Sequence, residues 1–545
     1  MKASRFLLLI LLFITLSITA CSQQSPTVEG EEDIILEELE PLEGGTLRLS
    51  VTRFNNFNPL VNNNKTLYQI QNLIYEGLVG FDEARDIKPV LAESWKISPD
   101  GQSIDFNLRN DVKWHDGTDF TADDVIFTLK LIQSDNQMKG TSIYRTSLQN
   151  ISDMRVVEGN VLRVTFSRPF SNALEVLTFP ILPKHLFQGS KANLLKEGDF
   201  PMVGTGIYKV AEYERMQQIN LVRNDAYWGQ KPYIDNVSIV IVPDKEAQLS
   251  LFENGEIDVA QPVAVDWAKY TDGKNEKVYE YISNQYEFLG FNFKNPLLND
   301  IVVRQAFAYA IDRHKIVKNL YLGHGTVVDV PVQPNSWLFD DERLTYGFDV
   351  TKANSILEDN GYIKSDNNIR VAPESQVPLK FKLITNKDNI LREKTAYHIK
   401  DELKQAGIEI DVQLLPWNEF NQQLVQGNFD IALTGWELSD APDLSFAFHS
   451  SHLKTTNFIS YANEEMNIIL EEIFKAPSRN QKQANYKLLQ KHITEELPYL
   501  SLFYKNSAIA VRSTIKGNFQ PQPENHYNGI AEWFINSKPK EKDAN

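Results

Sequence analysis

From Thr46 onward, segments with the period of a strand and segments with the period of a helix follow one another in turn, and this alternation constrains the fold more than any single motif. "TLRLSV" (Thr46 to Val51) and "SIDFNLR" (Ser103 to Arg109) alternate apolar and polar residues, and "VLRVTF", "IYKVAEY", "INLVRN" and "VSIVIVP" also read as strands. Helices are predicted over Leu67 to Leu78, over "TADDVIFTLKLIQ" with Thr121 as cap and Asp124 three residues on, and over "DKEAQLSLFEN" closed by Gly255. Asn299 to Gly323 has an apolar stripe and a terminal glycine, which predicts one long helix. Beyond it come a helix at Thr351 to Asp359, a strand at Leu379 to Thr385, a helix at Arg392 to Ala406 ended by Gly407, and a strand at Ile408 to Leu414. A helix at Trp417 to Gln426 and a strand at Asp430 to Leu433 follow. This order predicts an α/β chain with mixed sheets and with ligands held by loops at strand ends.

The chain has 545 residues, 42% of them hydrophobic, enough for two or three domains. Its formal charge of −17 argues against nucleic-acid partners, which require a concentrated basic face. At the N-terminus, Lys2 and Arg5 precede the apolar run Phe6 to Ile18, the length of a signal-peptide core and too short to cross a bilayer. That run ends in "ITAC", and Cys21 is the only cysteine of the chain. Small residues before a cysteine resemble the bacterial lipobox, which makes Cys21 the expected lipidation site and residues 1–20 a signal peptide. Residues 21–44 carry a run of acids without a lysine or arginine and read as a solvated, self-repelling tether.

Signatures of catalysis are absent. There is no G-x-S-x-G elbow, no Walker loop, no H-E-x-x-H and no cysteine nucleophile in the body, so no enzyme is expected. "GTGIYK" at Gly204 lacks the third glycine and opens no helix, as a nucleotide loop would. The acids at Asp116, Asp119, Asp123 and Asp124 lack calcium-loop spacing and read as turn and cap chemistry. His449 and His452 sit at a helix end, and neither a metal nor a cofactor is predicted. What the chain offers instead is tryptophan at strand ends, among them Trp417 and Trp436, the residue type that both lines cavities and fills cores.

"LAESWKISPDGQSIDFNLRNDVKWHDGTDFTADDVIFTLK" (Leu91 to Lys130) resembles the extracellular solute-binding proteins of peptide ABC importers, the oligopeptide and dipeptide binding family known as family 5. "GTGIYKV", "LVRNDAYWGQKPYIDNV", "LGFNFKNPLLNDIVVRQAFAYAIDRHKIV", "DVTKANSILEDNGY" and "NFDIALTGW" follow in the same family's order, so the resemblance covers about Gly45 to Phe534. It implies a two-lobe periplasmic-binding-protein-like (type II) fold with a hinge and an additional inserted domain. Carried onto this chain, lobe I is 45–81, 201–290 and 504–536, the inserted domain 82–200, lobe II 291–503, and 537–545 a C-terminal tail. Hinge residues are expected around Gly204 to Gly206 and Gly290 to Asn292.

The resemblance further implies a membrane-anchored receptor that captures peptides by lobe closure and delivers them to an ABC permease. The expected form is a monomer on the extracytoplasmic face, the acidic tether and lipobox leaning towards a Gram-positive surface. Relatives that bind nickel chelates, haem, sugars or opines keep a non-peptide ligand open. Thr434, Gly435 and Trp436 match the segment that holds a peptide main chain in the manner of strand addition, and Asn292 and Trp417 match positions near the cleft. The family's aspartate for the peptide α-ammonium falls three residues after the tryptophan, where this chain has Ser439; its aspartate, Asp440, comes one residue late. Asp440 has two open roles, ligand contact or N-cap of a helix beginning "APDLSFAF" with Asp443 after it. Arg304 and Asp312 are expected to stabilise their helix as an ion pair.

Overall fold

A computed structural model describes residues 39–133, 144, 147–187, 200–263, 267–271, 275–439, 442–453 and 455–539. The signal segment, Cys21, most of the tether and Asp440 lie outside the described residues. The chain divides into a small unit made of its two ends and a large unit, Leu42 to Asn536. In the small unit the chain at Leu39–Leu42 pairs with Asn536–Pro539 as a two-stranded sheet. The end of the predicted tether and the start of the predicted tail are thus strands, because ladder bonds are made by the main chain and tolerate acidic side chains.

Three sheets organise the large unit. Thr46–Thr52 runs parallel to Asn236–Val242, which continues antiparallel through Gln218–Arg223 to Tyr208–Glu214. Its period-two pattern is realised as Leu47, Leu49 and Val51 turned into the core. Ala92–Ile97, Ser103–Leu108, Val161–Phe166 and Ile151–Glu158 form a second, antiparallel sheet, and its inner residues Ile104, Phe106, Leu162 and Val164 join the same continuous core. The third sheet is mixed, in the order Val259–Ala260, Tyr499–Arg512, Glu276–Phe291, Ile431–Glu437, Lys380–Asn386, Glu409–Leu415. Both of its faces are covered: Ile431 and Leu433 point into one apolar cluster and Ala432 into another. Burial on both faces explains why "IAL", Ile431 to Leu433, is a continuous apolar run instead of an alternating one.

The predicted long helix at Asn299 to Gly323 is three helices, Pro296–Asn299, Ile301–Ala310 and Arg313–Leu320. Asp300 and Asp312 end one segment and start the next, each carboxylate accepting from a backbone N–H of the following turn (Val302, 2.9 Å; Lys315, 2.9 Å). Arg304 forms no pair with Asp312; its buried guanidinium donates to the carbonyls of Leu298 (2.7 Å) and Glu496 (2.8 Å). The helix predicted over Leu67 to Leu78 stops at Gln71, with Asn64 as its cap. Thr121 and Asp124 do form the predicted N-terminal signal, the Asp124 carboxylate accepting from the Thr121 N–H at 2.9 Å.

"GTG" at Gly204 is a packing device. A β-carbon on Gly204 would lie 1.8 Å from the Ile74 carbonyl oxygen, so only glycine lets the two backbones meet. Beside it, Thr205, Tyr227 and Trp228 donate to the carboxylate of half-buried Glu76 at 2.8, 2.8 and 3.1 Å. His115, from the "WHDG" turn, completes the junction: its Nδ1 accepts from the Gly204 N–H at 3.2 Å, which leaves Nε2 to donate to the Gly206 carbonyl at 3.0 Å. Burial lowers the His115 pKa to about 4. The folded state therefore holds a neutral imidazole that takes up a proton more readily once unfolded. Its contribution to stability is full above the unfolded pKa near 6.5 and is lost as pH falls towards 4. Urea titrations of wild type and His115→Gln should differ most at pH 7, and the gap should narrow by about 1 kcal/mol or more per pH unit within that window; a pH-independent gap would contradict the neutral assignment.

Candidate ligand cleft

Two long strands of the third sheet carry the geometry of the site. Glu276–Phe291 pairs antiparallel with Tyr499–Arg512 from Glu276↔Arg512 to Ile282↔Asn506, and again from Tyr286↔Tyr504 to Gly290↔Tyr499. Between these runs the three residues Ser283, Asn284 and Gln285 face the single residue Lys505. Side chains take over where the ladder stops. Ser283 Oγ donates to the Lys505 carbonyl at 2.8 Å, and Asn284 Oδ1 accepts from Arg85 at 3.1 Å and from Gln333 at 2.6 Å. Of the residues expected at the hinge, Gly290 is laddered on both sides, to Ala432 and Tyr499, and Gly204 and Gly206 pack against the Ile74 main chain, whereas the ladder is interrupted at Ser283 to Gln285.

A cleft of about 790 Å³ opens at the break. One wall comes from Asn62 to Thr66, Tyr68 and Gln69; another from Lys245, Gln248 and Val259 to Val263; the floor from Tyr281, Ser283 to Gln285 and Lys505 to Ser507. Pro523, Glu524, His526 and Tyr527 enter from the C-terminal loop, and Glu437 from the far sheet. Lys65 and Glu437 meet across the cleft at 2.5 Å. Their side chains are 76% and 62% exposed, so the contact contributes under about 1 kcal/mol and opens readily. Buried Glu287 is held far more firmly, by Arg392 at 2.8 and 3.0 Å and by Lys505 at 2.8 Å. Burial raises the pKa of Glu524, with Arg85 opposing, and lowers that of His526 to about 4. His526 Nε2 lies 2.8 Å from the Tyr281 hydroxyl.

The predicted site residues scatter around this cleft. Thr434 is buried and laddered to Phe288. Past Ala432 the strand Ile431–Glu437 has lost its other neighbour, since Lys380–Asn386 pairs with it only at Ile431 and Ala432. Among the described residues, no main-chain group bonds to that second edge of Thr434 to Trp436. Trp436 is half-buried against Phe288, Phe446 and Phe458 instead of in the cleft wall. Ser439 is exposed just past the strand. Two of the expected residues stand outside the cleft lining. Asn292 is 4% exposed and its amide is taken up by the carbonyls of Gly427 (3.1 Å) and Phe429 (2.7 Å), so it splints a turn. Trp417 is half-exposed on the first turn of Trp417–Gln426, away from the cleft lining. Asp443 makes an Asx turn, its carboxylate accepting from the Ser445 N–H at 3.0 Å, ahead of the single helical turn Ser445–Phe448 whose N-cap is Leu444, and Pro442 precedes it.

Lys65, Asn284, Glu524 and His526 were not anticipated from sequence. They come from three distant parts of the chain, and only the polar, proline-punctuated "QPQPENHYNG" hinted that the last segment is a structured loop.

A family model described as bacterial extracellular solute-binding proteins, family 5 Middle, matches residues 86–458. The oligopeptide-binding protein AppA of Bacillus subtilis is 29% identical over 546 residues, covering 98% of this chain and 99% of AppA. Its solved structure, in complex with a nonapeptide, superposes with a TM-score of 0.62 at 28% identity over 91% of this chain and 100% of that one. NikZ of Campylobacter jejuni, solved with Ni(L-His), superposes at 0.65 with 26% identity over 90% and 99%.

Gly435 has its own steric requirement, for an added β-carbon would stand 2.6 Å from the Tyr286 carbonyl oxygen and 2.7 Å from an Arg392 nitrogen that holds Glu287. Gly435→Ala should destabilise the protein by about 1–3 kcal/mol, read as a lower denaturation midpoint at unchanged m-value; an unaltered midpoint would show that the approach is looser than described.

Proposed function

Because the chain belongs to the bacterial extracellular solute-binding proteins of family 5, we propose that it captures peptides in the 790 Å³ cleft and passes them to an ABC permease. Its relatives are solute-binding proteins, not enzymes, and the reading requires no bond making. The observation that carries it is the cleft's position at the interrupted ladder of the two crossing strands. A cleft placed there changes width when the strands bend, and ligand binding is coupled to closure of the two sides. The proposed bodies are lobe I (45–81, 201–290, 504–536) with its insertion 82–200, and lobe II (291–503), with the bend at Ser283 to Gln285.

Two features support a peptide. The unpaired edge of Thr434 to Trp436 ends at Glu437, which stands in the cleft wall, so an extended chain adds there as a strand and gains affinity from main-chain bonds. The lining is mostly uncharged polar side chains, asparagines and glutamines that accept varied partners directly or through water. In this reading Cys21 carries the lipid, residues 22–38 space the protein from the outer face of the membrane, and the receptor works as a monomer.

A form beginning at Ser22 should release a narrow size range of peptides on denaturation, identified by mass spectrometry. Re-adding one at a hundredfold excess over its Kd should stabilise the protein by about 2.7 kcal/mol, and small-angle scattering should show contraction. A single non-peptide mass would move the assignment to a relative's type of ligand, and no stabilisation by any peptide mixture would reject the proposal.

A further inference from the structure

The charges of the cleft do not balance within it. Lys65 is matched by Glu437, Lys505 together with Arg392 by Glu287, and Lys245, also in the lining, acts on His526 and forms no ion pair among the described residues. Glu524 stands apart. Among the described residues no lysine, arginine or histidine forms an ion pair with its carboxylate, and its side-chain hydrogen bond is from the Asn284 amide to Oε1 at 2.5 Å. Arg85, the cation nearest in effect, donates to Asn284 Oδ1 at 3.1 Å and to the Ile282 carbonyl at 3.2 Å, so its link to Glu524 runs through an amide.

The carboxylate is also held in place. Gln69 donates to the Pro523 carbonyl at 3.0 Å and accepts from the His526 N–H at 2.7 Å, clamping the loop on both sides of Glu524. Asn72 donates to the Glu524 carbonyl at 2.5 Å. An ordered, poorly hydrated carboxylate open to a cleft is the partner a desolvated ammonium needs, since a charge-assisted bond replaces the water each loses.

Building on the peptide reading, we propose that Glu524 is the anchor for the ligand's α-ammonium, a role for which Glu437 is unsuited because it is exposed and already paired with Lys65. The ligand's amino end then lies over the ladder break, against Asn284 and Tyr68, and its chain runs on towards Glu437 and the open strand edge.

The test uses a peptide without lysine or arginine, taken from those the wild-type protein retains from a chymotryptic casein digest and resynthesised in three forms: free amine, N-acetylated, and N-acetylated with one internal lysine. Calorimetric titration of wild type and Glu524→Gln should show the free-amine form weakened about 30-fold or more by the substitution and the acetylated form changed less than about threefold. Equal losses for both forms, or none, would overturn the assignment of Glu524 while leaving peptide capture standing. Sensitivity confined to the lysine form would overturn the terminal anchor in favour of side-chain recognition. Retention of no peptide by the wild-type protein would reject the peptide reading itself, and this proposal with it. Carbodiimide coupling in the wild-type protein serves if Glu524→Gln does not fold: an amide between the peptide amine and Glu524, located by mass spectrometry, is the expected product, and coupling to Glu437 instead would refute the proposal.

Discussion

The antiparallel pairing of Glu276–Phe291 with Tyr499–Arg512 is the interaction on which the rest depends. These strands are 16 and 14 residues long, and within the mixed sheet one end of the pair lies beside Val259–Ala260 and the other beside Ile431–Glu437. A ladder unbroken over that length would weld the two ends together. One that stopped altogether would leave buried main-chain groups unpaired, which is costly. The structure does neither: at Ser283 to Gln285 opposite Lys505 the ladder is interrupted, and side chains of Ser283, Asn284, Arg85 and Gln333 supply the missing bonds. Side-chain bonds rearrange more easily than ladder bonds, so this level is where movement is cheapest.

The cleft and its charges follow from that interruption. Asn284, freed from the ladder, bridges Arg85 to Glu524, and Lys505, the lone residue opposite, turns to Glu287. Glu287 sits just beyond the break with Arg392 and Lys505 on it, a buried cluster whose disruption leaves unpaired charge and therefore pins the mixed sheet on one side of the crossing. On the other side, neutral His115 ties the "WHDG" turn to Gly204 and Gly206, and next to it Glu76 gathers its three donors. Rigid bodies on either side of a soft level are what a closing receptor needs.

Much of this was legible locally. The strand periods at Leu47 to Val51 and Ile104 to Leu108, the buried run "IAL", the turn at Gly407 and the helix start at Asp124 all appear where side-chain pattern and capping chemistry put them. The broken helix at Asn299 to Gly323 was legible too, in Asp300 and Asp312, each placed to cap a following turn, but the continuous apolar stripe outweighed them. The site was not legible in the same way. Asn292 and Trp417 looked like ligand groups by resemblance, and their actual places depend on whether a neighbouring turn leaves carbonyls to satisfy or a helix end faces solvent.

By itself the sequence determined the alternating α/β character, the Thr121–Asp124 helix start and the family, because each rests on residues within a turn or two of one another or on motifs in order. Tertiary structure decided where the crossing strands lose register, which acids find a cation and which does not, and which residues from positions 65, 284, 437 and 524 share one cleft. Those outcomes depend on pairings between segments hundreds of residues apart, and neither periodicity nor capping carries information over such separations.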